Sequence, residues 1–436
     1  MGAYRLGSAL LAATSLWTSG AWAQSASVIP PVTPANSSIG APVERDRAVE
    51  PTSLDPVGAH FGAFTFYPKF DAAATYDDNI YALQNKTSDT IFRLSPSFKL
   101  EGDADPYKLN FYGGVDRLIY AKNGGENHTD WRGGGRGTLE FMPETKVTVN
   151  AGYAKNHEDR GDPNSNSTNV SPTVYYRTDA GIAFDRSAGQ LKAGLRGTYS
   201  HSNYNDARQI GGGLTNNDDR DRSDYFVEGK AGYEFSTGYS VVARVAYDSI
   251  VYNDRVDDTG FDRHSTGLRG SVGVAFELTQ VLTGEATVGY LRRQYRDPRF
   301  NDLKRFAYNV AVEWFPTELT SLRFTINNAP QETVSRGYRG YIADTYSVRV
   351  EHELLRTLKI TGTVRYIVND YLRNTTIVVP AKTEKYYGAS AGVKYTLNRN
   401  ISAIAGYDYN KKKSTSTGAG SEFVRNKASL TVVLQL

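Results

Sequence analysis

The chain has 436 residues, 50 of them Lys or Arg and 47 Asp or Glu, with 30 Tyr, 41 Gly and no Cys. The missing Cys excludes disulfide frameworks, thiolate metal sites, cysteine nucleophiles and a lipid-anchored amino terminus, and the near balance of charge gives no reason to expect nucleic acid as a partner. Past the first residues nothing approaches the roughly 20 consecutive apolar residues that a membrane-spanning helix needs.

Met1 to Ala23 carries one positive charge at Arg5, an apolar stretch around Leu10 to Leu16, and the small-residue end Ala21-Trp22-Ala23. That is the pattern of a secretory signal peptide, residues 1–23, cut before Gln24. Residues 24–60 are rich in Ser, Pro and Ala without periodicity, and are expected to form a disordered periplasmic arm.

Over residues 61–436 the text alternates. Tyr225, Val227, Gly229, Ala231, Tyr233 and Phe235 interleave with Phe226, Glu228, Lys230, Gly232 and Glu234. Val241, Ala243, Val245 and Tyr247 interleave with Arg244, Ala246 and Asp248. The same dyad returns in Leu268 to Phe276 and in Phe306 to Trp314. Period-two alternation of β-branched and aromatic residues is a strand signal that a helix cannot satisfy. About eighteen such runs, each roughly 10 to 15 residues long, suit tilted strands crossing a bilayer. They start near residues 62, 89, 107, 129, 146, 173, 190, 223, 239, 264, 281, 304, 319, 344, 357, 384, 400 and 422.

The connections alternate in length. Short ones sit near Asp103–Pro106, Pro143–Thr145, Arg186–Gly189, Ser236–Gly238, Thr279–Gln280, Pro316–Glu318, Leu355–Arg356 and Asn398–Asn400. Long ones include His157–Pro172, Asn203–Arg222, Asn253–Arg263, Pro330–Ala343, Asn374–Thr383 and Asn410–Ser421. One tight rim and one loopy rim define an all-β fold: a transmembrane antiparallel up-and-down β-barrel of about 18 strands, with short periplasmic turns and long extracellular loops. The last alternating run reaches Leu436, as closure requires, because an unpaired edge in lipid is intolerable. A soluble propeller would show a fixed motif every 40–50 residues or so, and none is present. Aromatic or Leu residues flanking the tight turns, as in YEFSTGYSVVA and EWFPTELTSLRF, read as a girdle at the periplasmic boundary.

With the apolar register outward, the other faces a lumen. It carries Lys192, Arg196, Lys230, Arg244, Arg269, Arg323, Arg349, Lys359, Arg365 and Lys394, together with Glu228, Glu234, Asp248, Glu277, Glu285, Glu313 and Glu351. A charge facing lipid at the midplane costs about 2–4 kcal/mol, which fixes the faces. Both signs together predict ion-pair ladders and weak charge selectivity. The inward aromatics include Tyr112, Phe226 and Tyr386, which are expected to fill space or lie near an interface.

No catalytic set is expected. The histidines are His60, His128, His157, His201, His264 and His352, and nothing in their spacing singles out the His–acid or His–Ser pair that an omptin-like or lipase-like barrel needs. Asp77-Asp78-Asn79 and Asp218-Asp219…Asp221 lack the spacing of a calcium loop, and read as solvated loop acids or divalent bridges to lipopolysaccharide. Lys411-Lys412-Lys413 reads as a solvated loop tip or a contact to lipopolysaccharide. The glycine triplets at 133–135 and 211–213 lack the strand-to-helix context of a phosphate loop and read as turn or strand glycines. No metal and no cofactor is expected.

The segment from Asp55 to Asp103 carries the most specific text: Gly62 and the aromatic stretch to Pro68, Tyr76-Asp77-Asp78-Asn79-Ile80, Ser88-Asp89 and Ser95-Pro96. It resembles the opening of the beta-barrel porin type 2 family of outer-membrane proteins. The resemblance implies a Gram-negative outer-membrane barrel associated with exopolysaccharide secretion. On the export reading it implies, Tyr112, Phe226 and Tyr386 are candidates for stacking on sugar rings. The implied partners are outer-membrane lipid and lipopolysaccharide, the barrel assembly machinery, and polysaccharide export proteins of the periplasm and inner membrane. The carboxyl end departs from the usual pattern, closing on Leu436 where an aromatic is common. Three functions are carried forward: an exopolysaccharide export channel, a passive or substrate-selective porin for small hydrophilic solutes, and a structural or adhesive barrel acting through its loops.

Overall fold

The computed structural model describes residues 54–278, 281–374, 378–416 and 422–436. The expected signal peptide, residues 24–53 of the expected arm, the turn at Thr279–Gln280 and parts of the long connections at 374–383 and 410–421 lie outside these residues. The strands are β1 Phe64–Asp77, β2 Asp89–Ala104, β3 Tyr107–Tyr120, β4 His128–Met142, β5 Thr145–His157 and β6 Val174–Ala188. They continue as β7 Leu191–Tyr204, β8 Arg222–Ser236, β9 Tyr239–Tyr252, β10 Ser265–Leu278, β11 Leu282–Tyr295 and β12 Leu303–Thr317. The last six are β13 Thr320–Gln331, β14 Tyr338–Leu355, β15 Leu358–Arg373, β16 Thr383–Asn398, β17 Ile401–Ser414 and β18 Phe423–Gln435. Each strand pairs antiparallel with the next, and β1 pairs with β18 from Lys69↔Gln435 to Asp77↔Lys427, closing an 18-strand barrel. Ala59–Phe61, where the expected arm meets the barrel, turn back and pair with Phe64–Phe66.

The alternation becomes the wall. On β9, Val241, Val245 and Tyr247 point outward, 49%, 60% and 50% exposed, while Val242, Arg244 and Ala246 between them are buried within the barrel. At the short-turn rim an aromatic and aliphatic collar includes Phe235, Tyr239, Trp314, Leu355 and Leu397. Toward the other rim a tyrosine belt runs around the outside, with Tyr346, Tyr366 and Tyr387 in line at centroid spacings of 6.0 and 5.1 Å. Tyr239 and Tyr247 mark the two belts on β9. Eight residues at about 3.3 Å each, on a strand tilted by about 40°, separate them by roughly 20 Å, close to the apolar height of an outer-membrane barrel.

Strands start within two residues of their sequence-read positions except β14, which begins at Tyr338 rather than near 344. The expected long loop at 330–343 shrinks to 332–337, because β13 and β14 continue as a hairpin above the wall. Pro330 is tolerated there because the β12 ladder has already ended at Asn309↔Asn327. Beyond it the Asn328 side chain replaces the ladder, accepting from Tyr308 N–H at 3.1 Å and donating to Phe306 C=O at 2.8 Å. The hairpin leans inward, so Ile342 is buried against Leu291, Leu303 and Ala307 of β11 and β12.

Two further readings are corrected by this extension of strands above the membrane. Lys411-Lys412-Lys413 lies in β17, not in a loop, and Lys412 points inward to Glu384 at 3.0 Å. Asp77 ends β1 fully buried, and Asn79 is equally buried, so they are not solvated acids or amides.

At β10 and β11 the backbones approach closely. A Cβ on Gly273 would stand 1.9 Å from Ala286 C=O, and one on Gly289 would stand 2.0 Å from Gly270 C=O. Overpacking of this kind costs about 1–3 kcal/mol. Gly273→Val is therefore expected to lower the temperature at which the folded barrel converts to the slower electrophoretic form; an unchanged transition would refute the close approach.

Candidate functional site: a lumen closed at one end

The seventeen charged residues assigned to the lumen occupy one register of their strands, and the ladder joins them into networks. Arg244 contacts Glu228 at 3.0 Å and Glu285 at 2.7 Å, and Lys230 reaches the same Glu285 at 3.0 Å. Asp248 accepts from Arg293 at 2.5 Å, and Glu313 from Arg323 at 3.0 Å. Glu351 holds both Arg349, at 2.7 Å, and Lys359. Lys192 pairs with Glu234 at 3.3 Å near the periplasmic rim, where Glu277 is also exposed. Arg196, Arg269, Arg365 and Lys394 share this register, as does Arg136 on β4, yet among the described residues none of the five makes a direct ion pair. The wall is thus richer in unpartnered cations than a count of 50 against 47 suggests.

Of the candidate stacking residues, Tyr112 lies over Gly134 and Gly152, where an added Cβ would meet its hydroxyl at 2.5 and 3.0 Å. Within β4, Gly134 of the first glycine triplet thus leaves room for the hydroxyl end of one inward tyrosine. Phe226 and Tyr386 are 5% and 1% exposed, and neither presents a free face. Tyr386 is packed with Tyr338, Tyr341, Tyr371, Ile367 and Phe423, and its hydroxyl donates to Glu384 at 3.0 Å.

That tyrosine cluster belongs to a closure of the extracellular half. Residues 158–173, between β5 and β6, fold into the barrel instead of extending into solvent. Asp159 accepts from Arg425 of β18 at 2.9 Å, and Glu158 accepts from Arg220 of the β7–β8 connection at 3.2 Å. Arg160 donates to Glu126, with one contact of 2.9 Å, and Asn164 reaches across to the backbone of Glu332 and Val334. The segment therefore touches four separated parts of the rim. Arg425 also grips Asp77 at 2.7 Å, and Asn79 donates to Val424 C=O at 2.9 Å. The Tyr76–Ile80 motif is thus the clasp between the first and last strands. Charges toward the periplasmic end stay accessible, Lys192 at 49% and Lys359 at 34% of the side chain, whereas Arg425 and Asp77 are at 3% and 0%.

Two acids of the inserted segment are poised oppositely. Enclosure by the wall, then the neighbouring Asp159 and Glu158 carboxylates, push the Asp162 carboxyl well above the usual range, against Arg220. Tyr175 of β6 and Tyr341 of β14 also face Asp162. Asp159 is enclosed as well, but Arg425 and Lys427 outweigh this and hold it well below that range.

The histidines separate in space. His60 lies 3.0 Å from Thr65, His264 2.7 Å from Asp262 and His352 2.9 Å from Thr320. His201 Nδ1 lies 3.0 Å from Ser223 Oγ, but among the described residues nothing hydrogen-bonds its other nitrogen, so the orienting member of a triad is missing. His157 Nδ1 lies 2.5 Å from Asp130, and its ring stacks 3.6 Å from that of His128. Spacing along the chain hides this group, and so does the register of the hairpin about the turn at 143–144. The β4–β5 ladder ends at Trp131↔Lys155, and continued it would set His157 opposite Thr129 on the other face, so the group forms only where the pairing stops.

The profile of the family described as "Putative beta-barrel porin 2" matches residues 50–436. No curated protein matches the chain. Solved structures of similar shape include OpdK from Pseudomonas aeruginosa with vanillate, at 10% identity over 85% of this chain and 99% of that one, with a TM-score of 0.44. The siderophore receptor PirA from Acinetobacter baumannii is similar at 8% identity over 85% and 80%, with a TM-score of 0.45.

Because Asp162 binds its proton more tightly when the segment is inserted, its contribution to insertion is fully present below the ordinary carboxylate range. It is lost as pH rises through the raised value. The Asp159 contribution runs the other way, present above the ordinary range and lost only in stronger acid. Lowering pH from above the raised value toward the ordinary carboxylate range is therefore expected to reduce single-channel conductance in planar bilayers. Asp162→Asn should show the low-conductance state throughout that interval; a variant that keeps the full pH response would refute the assignment.

Proposed function

The chain belongs to the beta-barrel porin 2 family, and from that premise we propose that it is an outer-membrane channel that lets an exopolysaccharide chain leave the cell past a displaceable closure. The observation that carries this reading is the gradient along the lumen, accessible and charged at the periplasmic end and filled by loops at the extracellular end. The inserted segment is held by ion pairs and a few hydrogen bonds, not by strand pairing, so it can leave while the wall stays intact. A polymer entering from the periplasm meets an open vestibule, then a barrier that swings outward.

The cations without ion-pair partners define the cargo further. Arg136, Arg196, Arg269, Arg365 and Lys394 place positive charge along the path, which suits a polysaccharide bearing carboxylates. The barrel would reach the membrane through a signal peptide at 1–23 followed by a periplasmic arm. It would be inserted by the barrel assembly machinery, and would meet periplasmic and inner-membrane export proteins at its open end.

Deleting the gene in its host is expected to reduce surface-released polysaccharide and to raise the periplasmic pool, with restoration by the intact gene. Unchanged release would sink the export reading and leave a small-solute porin in its place. In planar bilayers the isolated barrel should conduct weakly, and removal of residues 161–171 should raise conductance several-fold. Under a KCl gradient that opened barrel should prefer anions, and Arg269→Gln with Arg365→Gln should diminish the preference; cation preference would overturn the acidic-cargo assignment.

A further inference from the structure

At the root of the inserted segment, one ring nitrogen each of His128 and His157 and one carboxylate oxygen of Asp130 lie within 4.8 Å of one another. His128 opens β4 and is 9% exposed. Its Nδ1 is 2.7 Å from the Glu126 carbonyl, which can only accept, so Nδ1 carries the proton and Nε2 carries the lone pair. That Nε2 is buried without a hydrogen-bond partner, and so is Oδ1 of Asp130. A buried imidazole nitrogen left without a partner loses the free energy of its lone hydrogen bond to water, which is uncommon unless another ligand takes the lone pair. A backbone carbonyl on the opposite ring nitrogen is also the support that metal-binding histidines use to fix their tautomer.

We propose that His128, Asp130 and His157 form a site for a divalent transition metal of the zinc class, which fastens the root of residues 158–173 to the barrel wall. Two imidazoles and one carboxylate suit such an ion better than calcium or magnesium, which prefer oxygen ligands. Metal–ligand distances of about 2.0–2.2 Å place tetrahedral ligands roughly 3.4 Å apart, so closing onto the ion takes side-chain shifts of about 1 Å. The fourth position falls to water or cargo. Asp130 now reaches His157 through a hydrogen bond at 2.5 Å, and the cation takes the place of the proton between them. His157 ends β5, and Glu158, Asp159 and Arg160, three anchors of the inserted segment, follow it directly. An ion that holds His157 to β4 therefore favours the inserted arrangement, an effect that rests on the closure reading above.

The test uses the refolded barrel in detergent. Titration with Zn²⁺ by calorimetry should give one tight site per chain that His128→Gln and His157→Gln each weaken at least tenfold, while Mg²⁺ gives none. Variants binding Zn²⁺ as the native chain does would overturn the site. Should a variant not fold, as judged by heat-modifiable mobility, Co²⁺ added to the native barrel decides: visible bands of low-symmetry nitrogen and oxygen coordination support the site, and a spectrum of hydrated Co²⁺ rejects it. In bilayers Zn²⁺ should lower the conductance of the native barrel but not of His128→Gln. Tight binding with unaltered conductance would keep the site and reject its coupling to closure.

Discussion

A bilayer core offers no partner to a backbone amide, so every strand must have two neighbours, and the wall exists only if its ends meet. Here they meet between Phe64–Asp77 and Phe423–Gln435, and the junction is reinforced above the membrane by side chains. Asp77, Asp78 and Asn79 reach Arg425, Asn426 and Val424, respectively, so the residues that characterise the opening of the barrel do their work at its closure. Arg425 gives one face to Asp77 and another to Asp159. Integrity of the wall and occlusion of the lumen thus share one guanidinium. Removing one member of so buried a pair leaves an uncompensated charge, which typically costs about 3–5 kcal/mol.

The two halves of the lumen follow different physics. At the periplasmic rim inward charges such as Lys192 and Lys359 remain hydrated, and their ion pairs position side chains more than they stabilise the fold, whereas Arg244, Glu228 and Glu285 farther in are buried. Toward the outside, water is displaced by tyrosines and by paired charges. Glu384 receives Lys412, Lys382 and the hydroxyls of Tyr371 and Tyr386. Such a network is costly to leave half satisfied, so it is well suited to be either fully formed or fully opened. The leaning β13–β14 hairpin is part of the same half, exchanging a stretch of wall pairing for the packing of Ile342.

The wall was legible in the sequence because a period of two has one structural meaning, and because charge cannot face lipid. Both arguments act locally, residue against neighbour. The start of β14 was not legible, since Pro330 and the Ser335-Arg336-Gly337 run carry ordinary loop signals, and only the loss of the β12 ladder makes the proline harmless. Lys411 to Lys413 misled for the same reason: strands that rise above the bilayer need not keep the apolar alternation. The inserted segment was illegible because Glu158, Asp159 and Arg160 would be equally content in water. Their partners Arg220, Arg425 and Glu126 lie far along the chain. The His128–Asp130–His157 group was illegible too, since the hairpin register would set His157 on the face of Thr129, and the three meet only beyond the last ladder pair.

The clasp also ties two properties to one strand. Phe423–Gln435 closes the wall through its pairing with Phe64–Asp77, and its Arg425 supplies a counter-ion to Asp159. Without that strand the wall has two open edges and the inserted segment loses its anchor on that side. A fault at the seam is therefore at once a fault in the seal.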